Sequence, residues 1–168
     1  MAEFNLGFSE KLIEAADLVA GDGITEFDSL QTVIYLSLLS SEISLKALLE
    51  QAGYSVKAIR KCSHDLKQLL DTIGSCEVEV EFVPGNLRWV SASRLRGKVV
   101  DPAYGDASVG AMIVKAAKEA STYPNNIRYG ESIQHFPPDQ VLKMAKVILN
   151  WAKGHIGNIR KTPDSSGK

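Results

Sequence analysis

The sequence has few cysteines. Only Cys62 and Cys76 occur among its 168 residues, too few and too far apart for a zinc site of the paired Cys-x-x-Cys kind. Thiols in an intracellular chain are normally kept reduced, so we expect both to be free. A chain of this length buries a hydrophobic core without disulfides or a structural metal, which predicts a single domain and no metal site.

The sequence also lacks a basic leader and an uninterrupted apolar run. The longest apolar stretch, residues 34–49, is interrupted by serines, Glu42 and Lys46, which argues against a membrane-spanning helix. The N-terminal region is unlike a signal peptide because four acidic side chains divide it. These are Glu3, Glu10, Glu14 and Asp17. We therefore expect a cytoplasmic protein with no membrane segment.

Strong charge of either sign is absent, since the formal net charge is −1 at pH 7. This value argues against a strongly basic nucleic-acid binder. The charge is nevertheless uneven, because residues 1–28 have a balance of −6, which leaves +5 for the remainder. Two basic clusters account for much of it, with Lys57, Arg60, Lys61 and Lys67 in the first and Arg88, Arg94, Arg96 and Lys98 in the second. Such clusters either meet a phosphate or form ordinary solvated surface.

Several catalytic motifs are missing as well. The sequence has no GxxxxGK(S/T), GxGxxG, HExxH or GxSxG, so P-loop hydrolysis, dinucleotide redox chemistry, zinc proteolysis and α/β-hydrolase chemistry lose their simplest support. No cofactor is therefore predicted. Of the three histidines, we interpret His135 and His155 as structural or solvated, whereas His64 lies beside the first basic cluster.

What the sequence does have is helical periodicity, in five segments. These are residues 9–20, 27–52, 63–74, 107–121 and 139–155. Ser9 and Ser63 are the expected N-caps of the first and third segments. The pattern predicts an all-α fold, an antiparallel bundle of four to five helices.

The bundle is interrupted by one less regular region. The alternation CEVEVEF from Cys76 predicts a short extended stretch, and prolines and glycines make residues 76–106 an irregular insertion. Residues 1–160 are expected to form the single domain. The polar, turn-rich residues 161–168 are expected to form a flexible C-terminal tail.

Two segments carry a family resemblance. The stretch SEISLKALLEQAGYSVKAIRKCSHDLKQLL, residues 41–70, resembles the HEPN family of small helical-bundle proteins, with its E..LKALL helix and the HDL start of a following helix. The later stretch NNIRYGES resembles that family's Arg-Tyr element. The resemblance covers residues 27–75 well and residues 107–150 loosely.

The resemblance implies a bundle that often dimerises and, in many members, a metal-independent ribonuclease with an Arg-x(4–6)-His pair. The candidate catalytic pair here is Arg60 and His64, which have only three residues between them. His64 would move a proton at the ribose 2′-hydroxyl or the leaving 5′-oxygen, and Arg60 would stabilise the charge on phosphorus. A structural role for His64 and phosphate binding without turnover remain alternatives.

Five further residues are candidates for phosphate or base binding, namely Glu42, Lys46, Lys67, Arg128 and Tyr129. Glu42 and Lys46 are spaced to form an ion pair on one helix, or face the cleft beside His64 and orient Arg60 or Arg128. Arg128 and Tyr129 offer a guanidinium for phosphate and a ring for stacking, or close one end of the bundle. Trp89, beside the second basic cluster, is either a stacking platform or a buried side chain.

These observations favour a nucleotide- or RNA-binding HEPN-like domain, a homodimer within a prokaryotic defence or stress system of the toxin–antitoxin kind. Metal-independent endoribonuclease activity is the associated enzymatic hypothesis. The alternative is a non-catalytic interaction module that regulates a partner protein. A third hypothesis, suggested by the resemblance alone, is that the protein pairs with a small nucleotidyltransferase.

Overall fold

The computed structural model describes residues 2–21, 26–105 and 107–163, apart from the side chain of Tyr104. These residues form seven α-helices and one three-stranded antiparallel sheet. The helices are α1 (Leu6–Gly21), α2 (Phe27–Gln51), α3 (Val56–Lys61), α4 (Leu66–Gly74), α5 (Val109–Lys115), α6 (Ala117–Arg128) and α7 (Pro138–His155). The strands are β1 (Cys76–Val83), β2 (Asn86–Ser91) and β3 (Ile159–Lys161).

Helix α2 lies at the centre of the molecule. It packs against α1 and α7 along one side and against α4 and α6 along another. Leu38, Leu45 and Leu48 are fully buried in this packing, as their helical spacing predicts. The helix ends before Gly53, whose φ of 94° reverses the chain in a backbone region that glycine adopts readily.

Serines bring α1 and α2 together. The Ser9 hydroxyl forms hydrogen bonds of 2.6 and 2.7 Å with the hydroxyls of Ser40 and Ser44 and donates to the Ser40 carbonyl at 2.8 Å. The prediction that Ser9 is an N-cap is wrong, because α1 begins at Leu6 and Ser9 is buried inside it. These serines are used within the chain, so they lend no support to self-association, and the homodimer stays a prediction.

By length and composition alone, α2 would also be able to cross a membrane. However, 72% of its most apolar window is buried inside the protein, and the core helix of a soluble protein passes the same test. The predictions of no membrane segment and of a cytoplasmic location therefore stay predictions.

The sheet contradicts the expected all-α fold. The extended stretch at residues 76–83 is confirmed as β1, but it is the middle strand of a sheet with the order β2-β1-β3. The predicted irregular insertion begins with a hairpin in which Val78 pairs with Val90. On its other edge, β1 pairs antiparallel with β3, where Val78 lies opposite Ile159. Cys76, Val78 and Ile159 are buried, so the sheet covers one end of the helical core.

Strand β3 also changes the interpretation of the chain's end. Lys161 was expected to begin the polar tail, yet it lies in β3 together with Arg160, and the two residues pair with Cys76 and Glu77. The rest of the predicted tail from residue 164 onward lies outside the described residues. The helix predicted over residues 107–121 is divided at Ala116, where φ is −108° and ψ is 29°, into α5 and α6.

The central position of α2 predicts where a substitution destabilises the fold. We expect Leu38→Ala to lower the free energy of unfolding by about 3 kcal/mol, because the fully buried Leu38 leaves a cavity. Leu18→Ala on α1 is the matched control, since Leu18 is 74% exposed, and a change within about 0.5 kcal/mol is expected. Urea unfolding followed by circular dichroism measures both. Equal effects of the two substitutions would contradict this packing.

Candidate functional site

A buried carboxylate on α2 collects three hydrogen-bond donors. Lys46 Nζ lies 2.7 Å from Glu42 Oε1, His64 Nδ1 lies 2.9 Å from Oε2, and the Tyr123 hydroxyl donates to Oε2 at 2.5 Å. We call Glu42, Lys46, His64 and Tyr123 the Glu42 cluster. Its members come from α2, from the connection between α3 and α4, and from α6.

Local backbone geometry places His64 beside Glu42. Ser63, the residue before it, has a φ of 50°, a left-handed conformation that costs a non-glycine residue about 1 kcal/mol. The expectation that Ser63 caps the next helix is wrong. Asp65 is the N-cap of α4, and its carboxylate accepts from the Gln68 amide at 3.0 Å. His64 therefore lies in the turn before α4.

The cluster is buried on one side and open on the other. The side chains of Glu42 and Lys46 are only 5% and 9% exposed, so their opposite charges compensate each other inside the protein. Burial, the charge of Glu42 and the hydrogen bond to Glu42 raise the pKa of Tyr123 far above its ordinary value, so Tyr123 remains a neutral donor. The His64 side chain, in contrast, is 48% exposed.

This arrangement fixes the tautomer of the neutral His64 ring. A carboxylate only accepts hydrogen bonds, so Nδ1 of His64 carries the proton that points at Glu42. In the neutral ring, Nε2 is then the basic nitrogen, and it has no hydrogen-bond partner among the described residues. The Tyr123 ring supports the imidazole edge-on, with 6.2 Å between the ring centres. An oriented imidazole with a free Nε2 is able to accept and donate a proton.

Arg60 is held away from this cluster by the N-terminal strap, residues 2–5. Its guanidinium contacts Glu3 Oε1 through Nη2 at 2.7 Å and through Nε at 3.1 Å. The strap is itself anchored, because the amides of Glu3 and Phe4 donate to the Glu50 carboxylate. The Phe4 ring lies 5.6 Å from Lys46 Nζ. The structure therefore does not bring Arg60 into contact with His64.

The remaining predicted binding residues do not join the cluster. Lys67 pairs with Asp71 at 2.7 Å, and Asp71 also binds Arg96 at 2.6 Å. Arg128 and Tyr129 are exposed at the end of α6 and form no side-chain hydrogen bond with a described residue. Glu42 and Lys46 were predicted to touch a phosphate or a base, but both are buried and bonded to each other. We revise their roles: Glu42 orients His64, and Lys46 compensates the charge of Glu42.

Trp89 is not free for base stacking. The Arg160 guanidinium covers its ring at 3.8 Å from the ring centre. Trp89 pairs with Glu79 across the sheet, and Arg160 is bonded to Glu77. The ring is therefore surrounded by carboxylates and Arg160, and not by the second basic cluster that the sequence suggested.

Two features of the site were missed by sequence reasoning. Tyr123 lies 81 residues from Glu42 along the chain, and no local pattern marks it as a partner. A second carboxylate–histidine contact joins Glu119 Oε1 and His135 Nδ1 at 3.0 Å. Within the described parts of the chain, no group of three or more histidine, cysteine or carboxylate side chains is placed to hold a metal ion.

Comparison with known proteins adds no relative. No protein-family model, no curated protein and no solved structure matches this chain. The HEPN resemblance therefore stays a prediction, and the function has to be argued from the geometry of the residues themselves.

The buried Glu42–Lys46 pair predicts a large effect of removing one partner. Glu42→Ala should lower the free energy of unfolding by about 3–5 kcal/mol, because it leaves the Lys46 charge buried without a counter-charge. Glu14→Ala is the control, since Glu14 belongs to the exposed pair with Lys11 and should change stability by less than about 1 kcal/mol. Denaturant unfolding at neutral pH measures both. A loss below 1 kcal/mol for Glu42→Ala would mean that water reaches Lys46.

Proposed function

We propose that this chain is a HEPN-like domain that binds nucleotide or RNA, and that His64 transfers a proton at a phosphodiester without help from a metal ion. One observation carries the proposal. The buried Glu42 carboxylate fixes the His64 ring through Nδ1 and leaves Nε2 at a half-exposed surface. A purely structural histidine does not require this buried carboxylate behind it and an open nitrogen in front of it.

The order of residues in the chain also supports the proposal. Glu42 and Lys46 belong to the E..LKALL helix and His64 to the HDL segment, and the fold joins all three in one cluster. The two parts of the first resembling stretch, residues 41–70, thus meet at the imidazole of His64, whereas Arg128 and Tyr129 of the second stretch do not join it.

The chemistry follows from the position of Nε2. It accepts the proton of a ribose 2′-hydroxyl while that oxygen attacks the adjacent phosphorus, and the bond to the leaving 5′-oxygen breaks. The products are a 2′,3′-cyclic phosphate and a 5′-hydroxyl. The leaving 5′-oxygen takes a proton from solvent water to become the 5′-hydroxyl, and the protonated imidazole releases its proton to solvent. Glu42 serves as a positioning residue because it acts through His64 and does not touch the substrate.

Cations for the phosphate are present on α3. Lys57 and Lys61 are exposed and form no ion pair with any described residue. Arg60 lies between them but is neutralised by Glu3. We propose that Glu3 competes with a phosphate for the Nε–Nη2 edge of Arg60, since one guanidinium edge binds one anion at a time.

The role of His64 is tested with a short single-stranded RNA in the presence of chelator. We expect His64→Ala to bind RNA within about threefold of wild type, because lysine and arginine side chains supply most of the positive charge that binds the phosphates. The same variant should lose cleavage by at least about 100-fold, because the imidazole transfers the proton. Arg60→Ala should weaken both binding and cleavage. Lys11→Ala, which removes a cation outside the segment 57–67, should match wild type. Binding should weaken with salt.

Two results would count against this function. Cleavage that survives in His64→Ala would assign the chemistry to another site. An absence of cleavage by the wild-type protein, together with undetectable or salt-insensitive RNA binding, would leave the interaction module as the better hypothesis.

The contact between Glu3 and Arg60 predicts that removing the Glu3 charge raises the affinity for RNA. Glu3→Gln should raise RNA affinity about two- to fivefold at low salt, because an exposed ion pair of this kind contributes up to about 1 kcal/mol. Glu14→Gln removes the same charge from α1 and should change affinity less. Fluorescence anisotropy with labelled RNA measures both. If the two variants gain equally, the effect is general electrostatics and Glu3 does not compete for Arg60.

A second candidate function has one observation in its favour. The hairpin of β1 and β2 exposes Phe82, Val83 and Leu87, each more than half accessible, at a sheet edge where β2 has no neighbour among the described strands. Exposed apolar side chains beside an open strand edge are suited to a protein partner. This is the surface on which a non-catalytic interaction module would act.

A further inference from the structure

A separate polar cavity lies beside α6. It has a volume of about 370 Å³ and is bounded by the end of α5, by α6 and by the segment 131–135. Its lining includes Lys115, Lys118, Asn126, Glu131, Ser132 and His135. None of these residues belongs to the Glu42 cluster. The volume suits a small molecule and is too small for a folded partner.

Glu119 organises one wall of this cavity. Its carboxylate accepts from the amides of Gln134 at 3.0 Å and His135 at 2.9 Å, and from His135 Nδ1 at 3.0 Å. Burial acts to raise the pKa of Glu119, but these hydrogen bonds with Gln134 and His135 outweigh it and hold the pKa below its ordinary value. Glu119 is therefore ionised at neutral pH and fixes both the loop and the His135 ring.

The His135 ring then offers its second nitrogen to the cavity. Because Nδ1 is bonded to Glu119, Nε2 remains, and it has no hydrogen-bond partner among the described residues. The His135 side chain is 57% exposed, so a small ligand is able to reach it.

Two lysines of the cavity have no bonded counter-charge among the described residues, while the carboxylates of Glu119 and Glu131 also line it and balance their charge. Lys115 and Lys118 line the cavity, and neither ammonium forms an ion pair or hydrogen bond with a described residue. Many other lysines of the protein differ, since Lys46, Lys67, Lys146 and Lys153 each bind a carboxylate. Two ammonium groups are donors that bind a phosphate group well, whereas the unprotonated Nε2 of the His135 ring accepts a hydrogen bond from a ligand hydroxyl.

The other lining residues carry hydrogen-bonding groups without positive charge. Glu131 is an acceptor, and Asn126 and Ser132 both donate and accept, which suits the hydroxyl groups of a ligand. Among the described residues, no aromatic side chain other than the His135 imidazole lines the cavity, so a stacked base is not favoured. The donors and acceptors together describe a ligand that is anionic in one part and hydroxylated in another.

We propose that this cavity binds a hydroxylated phosphomonoester such as a sugar phosphate, with its phosphate on Lys115 and Lys118 and its hydroxyl groups on His135 Nε2, Glu131, Asn126 and Ser132. The site does not depend on the proposed function of His64. As in the Glu42 cluster, a carboxylate orients a histidine ring, but here the ring binds a ligand and does not transfer a proton.

The probes for this site are ribose 5-phosphate, inorganic phosphate and ribose, titrated into the full chain and followed by calorimetry and by amide chemical shifts. We expect ribose 5-phosphate to bind at least about fivefold more tightly than inorganic phosphate, and ribose not to bind at millimolar concentration. Shifts should concentrate on residues 115–135. Lys118→Met should weaken binding about tenfold, which is the usual effect of losing one charged hydrogen bond.

Matched variants separate the site from general charge effects. Lys11→Met removes a lysine from α1 and should leave affinity unchanged. His135→Asn keeps a donor for Glu119 but removes Nε2, and it should weaken binding severalfold while preserving the unfolding midpoint. His64→Ala should bind ribose 5-phosphate like wild type, so a failure here is distinguishable from a failure of the RNA experiment.

Three results would overturn the proposal. The first is no binding of ribose 5-phosphate at millimolar concentration. The second is equal affinity for ribose 5-phosphate and inorganic phosphate, because the hydroxyl contacts would then contribute nothing. The third is a Lys118→Met variant that binds as tightly as Lys11→Met.

Discussion

The need to satisfy one buried carboxylate constrains much of this structure. Glu42 lies on the central helix, where an isolated charge would cost several kcal/mol. Lys46 compensates the charge from the same helix, Tyr123 donates from α6, and His64 donates from the turn before α4. The three donors tie α6 and the α3–α4 connection to α2 at one point. The left-handed backbone at Ser63 persists because this network stabilises the turn that contains His64.

The same arrangement occurs twice with different surroundings. Glu42 fixes His64, and Glu119 fixes His135, in each case through Nδ1. The His64 ring contacts Glu42 of the buried Glu42–Lys46 ion pair and lies near the basic segment 57–67. The His135 ring lies in a cavity with two lysines that have no carboxylate partner among the described residues. The two proposals differ because the surroundings of the two rings differ, although the carboxylate–histidine contact is the same in both.

The N-terminal strap gives the basic segment a built-in counter-ion. Glu3 is held by the Glu50 carboxylate through backbone amides, so its own carboxylate is free to bind Arg60. The helix that carries the predicted phosphate ligand therefore displays fewer free cations than its composition suggests. Net charge along a sequence segment overstates the electrostatic attraction of a surface when the compensating acid is distant in sequence but close in space.

The sequence by itself determined the features that depend on neighbours one or two helical turns apart. The 3.6-residue periodicity located α2 and α7 to within about two residues of their observed limits, and the spacing of Glu42 and Lys46 predicted their ion pair. The alternation at residues 76–83 located β1, because period two is also a local signal. Only the tertiary structure decided the contacts that join distant segments. Strand β3 is three residues long and carries no pattern of its own, Tyr123 reaches Glu42 across 81 residues, and Glu3 captures Arg60 across 57. Periodicity reports which face of an element is buried, whereas the partner that covers the face is chosen by packing and by the pairing of charges in three dimensions.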